Sequence, residues 1–109
     1  MIVLDTHIWI WWVHNDPQLP LAYKRFILSE QSSGLGVSAI SIWEIAMLVS
    51  RGRLVLPIAC LDWLHRALGA RGIRRLDLSP EIATDSVNLP GSFHRDPADR
   101  ILVATARVI

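Results

Sequence analysis

The chain has 109 residues, 51% of them apolar and 19% charged, with a formal net charge of +1; this excludes a disordered segment and predicts one domain, spanning 1–109, around one core. Its single cysteine, Cys60, excludes an internal disulfide and a thiolate metal centre, so a reducing cytoplasm is the expected location. The start lacks the basic region of a signal peptide, and the apolar stretch Ile8 to Val13 is far shorter than the ~20 residues of a bilayer span, so no membrane partner is expected.

Met1 to Leu4 reads as a strand that meets Asp5 and Thr6 and passes into a helix to about His14, broken by Asn15-Asp16-Pro17. A second helix is predicted over Leu21 to Gln31, with Ala22, Phe26 and Ile27 on one face. Gly34 and Gly36 then punctuate the chain. Leu35 to Ile40 reads as a second strand, and Ser41 opens a helix through Val49 in which Glu44 completes a Ser-x-x-Glu capping pattern. After Pro57 the pattern predicts a helix from Ile58 to Leu68, ended by Gly69 and Gly72, then a strand from Ile73 to Leu78. Ser79-Pro80-Glu81 opens another helix, closed by Asn88-Leu89-Pro90-Gly91, and Asp96-Pro97-Ala98-Asp99 opens the last one by the same capping logic. Strands alternating with helices predict an α/β fold with a parallel sheet covered on both faces.

Asp5, Glu44 and Asp99 share a setting, in or just before the first turn of a predicted helix. Acids that leave neighbouring strands of a parallel sheet can converge beyond the strands' carboxyl ends. For any one of them, capping a helix start is the plainer explanation. Glu44 is harder to dismiss, because it stands among Ile42, Trp43, Ile45, Ala46, Met47, Leu48 and Val49, where an unpaired buried charge is costly. Carboxylates gathered at ~4 Å repel by about 4 kcal/mol per pair at an effective dielectric near 20, and a bound cation reverses that sign. All-oxygen donors favour a hard ion such as Mg2+ or Mn2+, which can activate water against a phosphodiester.

Three segments carry a family resemblance: Ile2-Val3-Leu4-Asp5-Thr6-His7; Ser38-Ala39-Ile40-Ser41-Ile42-Trp43-Glu44-Ile45; and His94-Arg95-Asp96-Pro97-Ala98-Asp99-Arg100-Ile101-Leu102-Val103-Ala104-Thr105-Ala106. In this order and separation they resemble the VapC-like PIN domain. The resemblance implies a three-layer α/β/α fold with a central parallel sheet and a ribonuclease toxin of a type II toxin–antitoxin system, dependent on Mg2+ or Mn2+. It also implies an RNA substrate, a VapB-type antitoxin as partner, and a homodimer or higher self-association. Residue by residue, Asp5, Glu44 and Asp99 match the catalytic, metal-binding acids, and Thr6 matches the hydroxyl residue beside the first acid. Asp96 has a supporting place, as cap of the last helix or behind the metal ligands; Arg100 is a candidate phosphate contact, with pairing to a neighbouring acid as the alternative. Members of the family continue past Ile109 with a strand bearing a fourth acidic position, so the sheet is expected to lack the family's last strand or strands. A shortened PIN-like protein that binds antitoxin or RNA without cutting is therefore the competing expectation.

Other residues have plainer readings. Arg51, Arg53, Arg71, Arg74 and Arg75 fit a solvated face better than a phosphate-binding one. Trp9, Trp11 and Trp12 fit core packing better than base stacking. His7 and His94 lie near the proposed acids, where lone histidines commonly make structural hydrogen bonds. An aspartyl-phosphate phosphatase is a third reading of Asp5, weakened because residue 7 is His instead of a second acid.

Overall fold

The computed structural model describes residues 1–91 and 96–109. In chain order they form β1 (Ile2–Val3), α1 (Thr6–His14), α2 (Leu21–Glu30), β2 (Leu35–Ser38), α3 (Ala39–Ser50), α4 (Cys60–Leu68), β3 (Ile73–Leu76), α5 (Pro80–Val87) and α6 (Pro97–Val108). The strands pair in parallel in the order β1-β2-β3, with Ile2 opposite Leu35 and Leu35 opposite Ile73. Helices flank this sheet, as the expected PIN-like α/β/α architecture requires. No helix among the described residues is long and apolar enough to cross a membrane.

The central strand β2 is buried along its whole length because it has a neighbour on each edge and helices packed against it. Parallel strands buried this way read as short apolar runs without polar alternation, which is how Leu35 and Val37 appear in the sequence. Gly36 lies close against its neighbours: an added Cβ would stand 2.7 Å from Leu76 Cδ1, the end of a side chain that would have to shift, and 3.2 Å from the Ile2 carbonyl oxygen. The turn into β3 requires Gly72, which adopts a φ of 82° and lets the Gln31 carbonyl oxygen approach to 2.6 Å of where a Cβ would be.

The core gathers Trp9 and Ile10 of α1, Leu35 and Val37 of β2, Ile45 of α3, and Trp63, Leu64 and Ala67 of α4. Trp9 is fully buried and packs against Trp63 in an edge-type contact at a centroid distance of 5.5 Å, so the packing reading of that tryptophan holds. The Trp63 indole N–H in turn donates to His14 Nε2 at 2.9 Å, which joins α4 to the end of α1. At the other side of the fold, the Arg107 guanidinium lies 2.9 Å from the Asp85 carboxylate and ties α6 to α5.

Several predicted boundaries move. The second strand stops at Ser38 instead of Ile40, because Ser38 is the true cap of α3 and accepts from the Ile40 N–H at 3.2 Å. Ser41 is therefore not a cap; it is fully buried inside the helix. Glu44 accordingly lies in the second turn of α3 and not in the first. The first and third strands are shorter than expected, and α4 begins at Cys60 instead of Ile58. Of the predicted inner face of α2 only Ile27 is buried; Phe26 is 53% exposed, since α2 packs only lightly on the body.

Candidate functional site

Parallel pairing puts the carboxyl ends of β1 and β2 on the same edge of the sheet. Asp5 stands two residues beyond Val3, in extended backbone, and caps α1: its Oδ1 accepts from the His7 N–H at 3.0 Å. Ser38 does the same at the end of β2, so α1 and α3 both begin at this edge. Helix α6 reaches it from another direction, packing against both α3 and β1. Asp96 caps α6 by accepting from the Asp99 N–H at 2.9 Å, as the sequence reading had it, and Asp99 is half-buried in the first turn. Arg100 follows, half-buried, with its backbone N–H on the Asp96 carbonyl at 3.1 Å.

A three-membered polar contact joins α1 to α3. Thr6 Oγ1, in a residue only 2% exposed, lies 2.6 Å from Glu44 Oε1 and 2.8 Å from Ser41 Oγ. A hydroxyl has one proton and a carboxylate only accepts, so the Thr6 proton belongs to Glu44 and the Ser41 hydroxyl supplies the proton of the second bond. The sequence pattern Ser-x-x-Glu, which looked like a local cap, thus acts across 35 and 38 residues of chain to hold a carboxylate at the sheet edge. Its partner Thr6 is what makes a half-buried Glu44 tolerable among apolar neighbours.

The acids do not all stand together. Glu44 and Asp96 share one cleft of about 510 Å³, lined also by Ile40, Trp43, Met47, Pro97 and Ala98. Among the described residues, however, no group of three or more His, Cys, Asp or Glu side chains is placed to hold a metal ion. The donor chemistry of the candidates suits a hard divalent cation: Asp5, Glu44 and Asp99 are all carboxylates, and Asp5 and Glu44 each engage a hydrogen-bond donor through one oxygen while having a second with which to accept. His7 is exposed at the start of α1, its ring in an edge-type contact with Trp11, and His94 lies outside the described residues.

Two features escaped the sequence reading. Ser41 was assigned to the wrong job, although its i, i+3 spacing from Glu44 on one helix stripe signalled a shared environment as much as a cap. The cleft on α3 was missed as well; Ile40, Trp43, Glu44 and Met47 follow the i, i+3, i+4, i+7 spacing of a single helix face.

The PIN domain family model matches residues 2–109. Ribonuclease VapC22 of Mycobacterium tuberculosis is 38% identical over 105 residues, a stretch covering 96% of this chain and 78% of that protein. No solved structure matches the chain significantly.

Proposed function

The chain belongs to the PIN-domain family, and we propose that it is an endoribonuclease of the VapC toxin type that hydrolyses RNA phosphodiester bonds with Mg2+ or Mn2+. The observation that carries this reading is the 2.6 Å contact between Thr6 and Glu44, which holds an acid from α3 beside the strand end that presents Asp5. The similarity to a protein named a ribonuclease supports the activity. Asp5, Glu44 and Asp99 would hold the ion, which when bound supplies a Lewis acid that activates water and offsets charge on the phosphate. Thr6 fixes one rotamer of Glu44, and Asp96 sets the start of α6 and thereby the place of Asp99. Arg100 contacts the RNA phosphate.

The same reading gives the chain a VapB-type antitoxin partner, a homodimeric or higher assembly, and a place in the cytoplasm. A second reading, a PIN-like protein that binds antitoxin or RNA without cutting it, draws on the separate placement of the acids among the described residues. One experiment divides them: single-stranded RNA is incubated with the pure protein in EDTA and then across a Mg2+ or Mn2+ titration. The nuclease is inert in EDTA and cleaves as the ion is added. Binding without cleavage at every ion concentration refutes it in favour of the binder.

A further inference from the structure

Trp43 stands beside Glu44 in the sequence, yet its side chain is 55% exposed and forms a wall of the cleft between α3 and the start of α6. Core packing, the ordinary use of a tryptophan, does not explain it. Ile40, Met47, Pro97 and Ala98 make the cleft predominantly apolar, and the only charged residues lining it among those described are the acids Glu44 and Asp96. The charge that the described residues give the cleft disfavours a phosphate group. It suits a flat apolar ring that carries hydrogen-bond donors at its edge.

Resting on the ribonuclease reading above, we infer that this cleft is a nucleobase subsite, in which an unpaired base bearing an exocyclic amino group, as adenine and cytosine do and uracil does not, stacks on Trp43 next to the scissile bond and donates that amino group to Asp96. Three observations converge on that occupant. The cleft shares Glu44 with the candidate acid site, so a strand held there brings an adjoining nucleotide within reach of Trp43. Its volume, about 510 Å³, lies in the range of small-ligand sites and accommodates a base with its sugar. Among the described residues its charged rim accepts hydrogen bonds and does not donate them, which matches the exocyclic amino groups of cytosine, adenine and guanine; uracil has no amino group and offers only its N3–H between two carbonyls. Asp96 spends one oxygen on the cap of α6, and a carboxylate has a second with which to accept.

Base stacking on an aromatic side chain is the usual way in which proteins hold single-stranded RNA, and removing one such platform weakens binding ~5- to 150-fold. The test uses fluorescein-labelled single-stranded RNAs of roughly 12 nucleotides, composed of cytosine, adenine or uracil alone. Their binding is measured by anisotropy in the Asp5→Asn background so that cleavage does not intrude. Trp43→Ala and Trp43→Phe are compared with their parent, with circular dichroism confirming that each is folded. The parent and Trp43→Phe should bind the cytosine and adenine strands more tightly than the uracil strand, and Trp43→Ala should lose ~5- to 150-fold on the first two. Binding by Trp43→Ala within about twofold of the parent, well inside that stacking range, overturns the inference, as does equal affinity of the parent for all three strands. If the unmutated protein shows these preferences but cleaves nothing with Mg2+ or Mn2+, the cleavage reading fails and the subsite stands; if it cleaves while Trp43→Ala binds unchanged, the subsite fails alone.

Discussion

Replacing Thr6 with valine removes one hydroxyl and little volume, and it tests whether the α1 to α3 contact sustains both the fold and the site. In Thr6→Val the Glu44 carboxylate loses a hydrogen bond of 2.6 Å, and the buried Ser41 hydroxyl loses its partner at 2.8 Å. A hydrogen bond to a charged group contributes about 1.5 to 3 kcal/mol, and stranding a buried hydroxyl costs about 1 to 3 kcal/mol more. Glu44 is only half-buried, so water recovers part of the first quantity. The expected destabilisation is about 2 to 3 kcal/mol, or a fall in melting temperature on the order of 10 °C for a domain of this size. Urea titration reads it as a lower midpoint at unchanged slope. Thr6→Ser, which keeps the hydroxyl, should recover most of the loss. Thr6→Val combined with Ser41→Ala should cost less than the two single changes added, since no hydroxyl is then stranded. Stability of Thr6→Val within about 0.5 kcal/mol of the unmutated protein, the usual range for surface changes, together with undiminished RNA cleavage, would refute the reasoning.

Asp5→Asn should retain the cap of α1, since Asn caps as well as Asp, and still abolish ion-dependent cleavage; Asp5→Ala should lose cleavage and about 1 kcal/mol of stability as well, so melting curves beside cleavage assays separate the two roles. At α6 the roles divide between residues. Asp96→Ala removes the bond to the Asp99 N–H and should cost about 0.5 to 2 kcal/mol in urea unfolding, whereas Asp99→Asn should unfold like the unmutated protein and fail to cleave. Gly72→Ala combines a φ of 82° with a Cβ 2.6 Å from the Gln31 carbonyl oxygen and should destabilise by more than ~1 kcal/mol; a melting temperature equal to that of the unmutated protein would show that the turn into β3 relaxes freely.

Local chemistry was enough to find the helix starts at Asp5, Ser79 and Asp96, because a capping side chain acts on an N–H two or three residues away and needs nothing from the rest of the fold. Alternation of short apolar runs with helical patterns likewise revealed a parallel α/β sheet, and the three motif segments were recognisable from their order alone. Where two caps competed, at Ser38 and Ser41, the sequence could not decide. The choice depended on Thr6, a residue from another strand end that draws Ser41 and Glu44 into the interior. The same dependence hid the cleft at Trp43, which exists only because α6 begins opposite that face of α3. Hydrogen bonds and packing between segments far apart in the chain follow from how the sheet brings those segments together, and a linear pattern carries no distance between them.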